Sequence, residues 1–283
     1  MASRTSKRRS NGPTGRFGPV VIISCIVLVV WLVVAVFAPW IAPHDPAAFV
    51  SEESFASAGG GALLGTDYLG RDTFSRLLVG ARLTLGMSLC GTILAMAIGG
   101  FLGVFAALLG GWVDALISRT FDVILSLPKI IVGLVAVAAL GSSFTVIVSV
   151  VTIVYSSGVF LVARSLGDSM RELDFIRAAR LRGEGHLWII FGEILPNIYV
   201  PLATDFAVRL GYAVLFISSL SFLGLGVQPP AADWGALAKE NLSGLLSGSW
   251  ASVWPAIAVA SVTVSLSFIV DHFGDRSAAR REQ

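Results

Sequence analysis

Arg164–Asn197, RSLGDSMRELDFIRAARLRGEGHLWIIFGEILPN, is a polar island in an apolar chain. Ten charged side chains fall between Arg164 and Pro196: Arg164, Asp168, Arg171, Glu172, Asp174, Arg177, Arg180, Arg182, Glu184 and Glu193. The 34 residues before it, 130–163, carry none. The stretch after it is again apolar, so the island has the position of a folded loop between two membrane spans. What docks on that loop decides what the chain does.

The island reads as a helix–turn–helix. Ser169-x-x-Glu172 is a capping box and predicts a helix start at Ser169. Met170, Leu173, Ile176 and Ala179 recur every three residues as one apolar stripe, with Arg171, Asp174, Arg177 and Arg180 off it. Gly183 suits the left-handed residue that ends a helix. A second short helix over about 186–193 is predicted to stop at Pro196. Ala178 and Ala179 are small enough for another surface to approach closely.

Composition sets the class. The chain has 283 residues, 55% hydrophobic and 13% charged, with mean hydropathy +0.82. An ordinary soluble domain carries about 25% charged residues. An all-α integral membrane protein follows, with about six spans of roughly 20 apolar residues each. These are 20–38, 84–109, 123–140 (broken by Pro128 and Lys129), 144–162, 198–223 and 253–270. The first follows a basic leader with Arg4, Lys7, Arg8, Arg9 and Arg16, and is too long for a cleaved signal peptide. Placing the amino terminus inside puts fifteen Lys and Arg in inner segments against four in outer ones (Arg71, Arg76, Arg82 and Lys239). Both termini and the island are therefore expected in the cytoplasm. The chain divides into a leader (1–19), an anchor (20–38), an extracytoplasmic segment (39–83), a core (84–272, with its polar loop at 164–196) and a cytoplasmic tail (273–283). Cys25 and Cys90 lie in apolar runs and read as packed thiols. No phosphate-cradling G-x-x-x-x-G-K-[ST] loop is present, and His44, His186 and His272 lack metal-ligand spacing. No catalytic group, metal site or cofactor is expected on this chain.

At the island the chain resembles the permeases of ABC importers, whose cytoplasmic motif has the form E-A-A-x3-G-x9-I-x-L-P. Ala178, Ala179, Gly183, Leu195 and Pro196 stand at matching positions; Arg177 replaces the glutamate and Glu193 the isoleucine. The stretch 64–72 (LGTDYLGRD) and the stretch 221–230 (SFLGLGVQPP) with Asp233-Trp234-Gly235 resemble the dipeptide, oligopeptide and nickel group, in its second, shorter permease subunit. The resemblance implies a type I importer fold with a coupling helix between spans four and five, in a bacterial cell membrane. It implies these partners: a second homologous permease, two ATPase subunits that bind ATP and Mg, and an extracytoplasmic substrate-binding protein. It also implies coupling residues at Arg177, Ala178, Ala179, Gly183, Glu184, Leu187, Leu195 and Pro196, and a peptide substrate, with nickel or another small solute as the alternative. A stand-alone secondary transporter is the rival class, but it needs no cytoplasmic dock and often shows paired repeats; no internal repeat is seen.

Two further sets carry open alternatives. Asp205 and Arg209 share a helix face inside a span, as a pathway element or a structural ion pair. Asp67, Arg71, Asp72, Arg76, Pro229, Asp233 and Trp234 are candidates for extracytoplasmic docking. Arg71–Leu83 could form an interfacial amphipathic helix, and the loop 227–250 could be solvated or meet the binding protein.

Overall fold

A computed structural model of the chain describes residues 18–59, 61–231 and 233–281, with side chains as far as His272. The basic leader and the side chains of Arg276, Arg280 and Arg281 lie outside the described residues. The elements in order are α1 (Pro19–Ile41), α2 (Thr73–Leu109), α3 (Gly111–Ser126), α4 (Lys129–Leu140), α5 (Phe144–Arg171), α6 (Asp174–Leu181), α7 (His186–Leu225), α8 (Trp234–Glu240) and α9 (Val253–Arg281). Among the described residues five helices, α1, α2, α5, α7 and α9, are long and apolar enough to cross a membrane. They become six when α3 and α4, bent by 87° at Leu127-Pro128, count as one broken span. Among the described residues there are isolated β-bridges but no strands.

The bundle is organised around α2 and α5. Gly91 of α2 lies against Val151, Gly99 against the Ser156 carbonyl, and Gly103 2.7 Å (as an ideal Cβ) from the Phe160 carbonyl. From the α5 side, Gly167 meets Ala107 and Val104. Without side chains at these points the two backbones touch, which maximises dispersion contact where lipid offers no hydrophobic drive. The spacing Gly99-x-x-x-Gly103 is visible in the sequence; Gly91 and Gly167 join it only in three dimensions. Around this seam, α7 packs Ala213, Phe216, Ile217 and Leu220 against α4 and α5. On the other side, α1 reaches α9 through Trp31, whose Nε1 donates to Ser261 Oγ at 2.9 Å.

The structure revises several boundaries. The helix that carries the second apolar run begins at Thr73, ahead of the run itself, because Asp72 caps it, accepting from Phe74 N and Ser75 N. The interfacial helix expected over 71–83 is thus the buried first third of α2, with Leu77, Leu78 and Ala81 inside. The capping box at Ser169 does not start a helix. Ser169 lies within α5 and its Oγ donates back to the Leu166 carbonyl at 2.7 Å. The break falls at Leu173, whose extended backbone lets Ile176 and Ala179 of α6 turn inward beside Val104 and Leu108. Packing overrode the local cap. Pro196 does not stop a helix either. Ile189–Ile194 widens to a π-turn in which Leu195 N–H bonds the Ile190 carbonyl, five residues back. That re-registers the ladder ahead of a residue with no N–H to give, and α7 continues through Pro196 and Pro201. Pro39 likewise lies inside α1. Cys25 and Cys90 are exposed rather than packed.

The glycine seam yields a direct test. Gly103→Ala places a methyl against backbone and should cost about 1–3 kcal/mol. Gly86→Ala, where nothing lies within 4 Å, should be neutral or stabilising by up to about 1 kcal/mol from helix propensity. Thermal unfolding of the two variants in detergent compares them; a Gly103→Ala protein as stable as Gly86→Ala contradicts the seam.

Candidate functional site

The polar island forms a knob at one end of the bundle, and arginines fasten it. The last turn of α2 leaves carbonyls with no intrahelical donor at the negative end of the helix dipole. Arg171 Nη1 donates to the Ala107 carbonyl at 3.1 Å, and Arg180 Nη2 to the Leu108 carbonyl at 3.2 Å. Below them Arg164 grips Asp114 of α3 with a two-pronged contact, Nε and Nη2 each 2.5 Å from a carboxylate oxygen. Asp168 bridges the two levels, 3.5 Å from Arg171 and 3.9 Å from Arg164. With Ile176 and Ala179 fully buried, α6 is keyed to the ends of α2 and α5.

The opposite face of α6 is open. Arg177 and Ala178 are exposed, and Leu181 is 89% exposed. Gly183 ends the helix at φ +80°, as its place in the sequence suggests. Glu184 holds Arg182 at 3.0 Å and is half-buried; Leu187 is exposed, Leu195 half-buried and Pro196 exposed. Arg177 pairs with Glu172 at 3.0 Å, and the guanidinium holds the Glu172 carboxyl below its ordinary range. An exposed pair of this kind is screened by solvent and contributes little stability. Arg177, where the resembled motif carries an acid, thus has an acid beside it. Two prongs of this face, Phe175 and Leu181, have no counterpart among the residues read from sequence. Their apolar character on a charged helix was the available signal.

The other end carries a cap built from residues 42–59, 61–72, 226–231 and 233–252. The Asp67 carboxylate accepts from Leu69 N and Arg71 N, both at 2.9 Å, from Arg71 Nε at 2.7 Å, and from Arg76 Nη1. Glu240 of α8 stands 3.0 Å from Arg76 and 3.5 Å from Arg71. Two acids and two arginines therefore neutralise one another. Asp233 caps α8 and accepts from Ser221 Oγ at 2.7 Å. Burial pushes its carboxyl up from the ordinary range despite those donors. Trp234, fully buried, donates from Nε1 to the Leu77 carbonyl and from its backbone N–H to Thr84 Oγ1, both at 3.0 Å, and meets the Trp31 ring edge-on at 4.8 Å. The docking candidates Asp67, Arg71, Asp72, Arg76, Asp233 and Trp234 are therefore buried frame, and Pro229 of that set is exposed. Composition favours a surface role for charged residues; only the fold reveals that 67–76 and 233–240 neutralise each other.

Between the two ends, Asp205 and Arg209 pair at 2.5 Å, each side chain less than one-fifth exposed.

Residues 99–283 match the family described as the binding-protein-dependent transport system inner membrane component, and residues 19–57 match the N-terminal transmembrane domain of oligopeptide transport permease C. The chain belongs to this permease family. It is 32% identical over 257 residues to a probable D,D-dipeptide transport system permease of Escherichia coli K12, covering 91% of this chain and 86% of that one. It is also 32% identical over 254 residues to a dipeptide transport system permease of Alkalihalophilus pseudofirmus, covering 90% and 84%. A glutathione transport system permease of Pectobacterium atrosepticum is 31% identical over 245 residues, covering 86% and 81%. The fold is that of an ABC importer permease, and this permease is a membrane transport subunit.

The cap of this permease has a sharp energetic signature. Removing one member of a buried ion-pair set leaves the others unpaired and costs about 3–5 kcal/mol. Asp67→Ala, which leaves Arg71 and Arg76 sharing the single acid Glu240, should collapse the yield of folded protein in detergent. Pro229→Ala should leave it unchanged. A normal yield and melting temperature for Asp67→Ala contradicts the quartet as frame.

Proposed function

We propose that this permease is one of two membrane subunits of an ATP-driven, binding-protein-dependent importer for short peptides, and that α6 is the helix that couples it to ATPase subunits. The observation that carries the reading is the clasp of Arg171 and Arg180 on the end of α2, which leaves Arg177, Ala178 and Leu181 presented outward. A helix that transmits force needs a firm root and a free face, and α6 has both. Gly183, Glu184, Leu187, Leu195 and Pro196 continue the same surface or its connection to α7. Cation count across the loops, fourteen inner against four outer once Lys129 is assigned to its span, supports a cytoplasmic knob and an extracytoplasmic cap in a bacterial inner membrane. ATP and Mg would act on the partner ATPases, not on this chain. A second, homologous permease would complete the pathway, and a binding protein would deliver solute to the cap, whose exposed Pro229 loop is the surface available to it.

The relatives described above act on dipeptides and glutathione by name, which supports a peptide substrate over nickel. Asp205 and Arg209, both largely enclosed in α7, stand as a pathway element or a structural ion pair.

The test is co-purification of the importer followed by ATPase assay with peptide-loaded binding protein. Ala178→Trp, which thickens the free face, should abolish co-purification of the ATPase subunits. Arg171→Gln with Arg180→Gln should retain them yet lose most of the stimulation by loaded binding protein, by roughly tenfold for a loss of about 1.4 kcal/mol in coupling. ATPase capture unaffected by Ala178→Trp contradicts the docking role.

A further inference from the structure

The charges half-way through the bundle do not cancel. Lys129 is the first residue of α4, just after the 87° break. It lies 11 residues from Leu140 at the far end of α4, and Tyr155 lies 11 residues from Phe144 at the start of α5. Each is about 16 Å from its helix end, in a hydrocarbon core about 30 Å thick. Lys129 Nζ stands 5.0 Å from the centroid of the Tyr155 ring. The Tyr155 hydroxyl donates to the Tyr212 carbonyl at 2.9 Å and so joins that face of α5 to α7. One turn along the same two faces, the Arg209 guanidinium rests on Gly158, where any Cβ would strike it.

Arg209 is committed to Asp205. Among the described residues no carboxylate lies within ion-pair distance of Lys129, so one positive charge is left over. The placement adds to the imbalance. A lysine is ordinarily favoured at a helix carboxyl end; here it stands at the amino end of α4, where the backbone dipole is already positive. A charged side chain at this depth marks a solute path and calls for a partner. Its neighbour, an aromatic face, attracts an ammonium only modestly when the site is open, as it is at exposed Lys129. A carboxylate makes the stronger, charge-assisted contact. The ring can hold the ammonium at rest and yield it to an arriving anion.

We propose that Lys129, poised over Tyr155 and beside Arg209, is a mid-membrane station for a carboxylate of the solute in transit. The proposal rests on the reading of this chain as a peptide importer permease, because peptides bring such groups at their carboxyl ends and acidic side chains. Arg209 adds positive field, and Asp205 fixes its geometry.

The complete importer, reconstituted in vesicles, is the system for the test. The probes are peptides that its binding protein holds with similar affinity, graded from anionic through neutral to cationic. Lys129→Gln should lower uptake of anionic peptides about tenfold relative to cationic ones, and Lys129→Arg should keep the wild-type order. Uptake changed equally for every charge, uptake unchanged, or loss of the anionic preference in Lys129→Arg as well would overturn the station. Loss of the partner permease from purified Lys129→Gln would also overturn it, by assigning the charge to an acid across the subunit interface. Wild-type importer that takes up no peptide of any charge contradicts the peptide reading itself, and the station with it. A wild type that takes up peptides beside a variant with no charge dependence removes the station alone.

Discussion

Everything in this permease hangs on the contact between α2 and α5. At Gly99 and Gly103 the two backbones meet, and at Gly91 the Val151 side chain fills the space a side chain of α2 would take. A helix of 37 residues is about 55 Å long, longer than the apolar core of a bilayer, so α2 projects at one or both ends. Its amino end is locked into the cap by Asp72 and Arg76, and its carboxyl end is gripped by Arg171 and Arg180. A displacement of α6 is therefore a displacement of the α2–α5 pair. The seam makes the knob part of a rigid body rather than a flexible loop.

The energetic hierarchy supports that division of labour. At the cap, burial dominates. A fully buried tryptophan such as Trp234 removes on the order of 200 Å² from water, on the order of 5 kcal/mol at about 25 cal/mol per Å², and each buried member of the neutral quartet is compensated by the others. At the knob, the exposed pairs are screened and exchangeable, while the contacts that root it to α2 are charge-assisted and partly enclosed. Strong interactions hold the frame, and weak ones lie on the exposed face of the knob.

Much of this was legible in the sequence. Apolar run lengths placed the spans, the small residues at 178 and 179 with Gly183 placed the knob, and Pro128 placed the break in the third span. The misses share one cause, namely that tertiary contacts outweighed local signals. Ser169 has the spacing of a cap, yet Ile176 is worth more in the core, so the helix starts at Asp174 instead. Pro196 should end a helix, yet a π-turn absorbs it and leaves α7 unbroken. Arg71 and Arg76 look like surface charge until Asp67 and Glu240 are seen beside them, the latter 164 positions beyond Arg76 in the chain. Periodicity reports which face of a helix is apolar; it does not report which charges will find one another.

The central claim is that α6 presents its free face to ATPase subunits while the cap lies on the other side of the membrane. It is tested most directly by oxidative cross-linking in the assembled importer, with Cys25 and Cys90 replaced by serine. Ala178→Cys, paired with single cysteines along the candidate groove of the ATPase, should give a cross-linked product, and Pro229→Cys should give none with the ATPase. A cross-link from position 229 and none from position 178 would contradict the account.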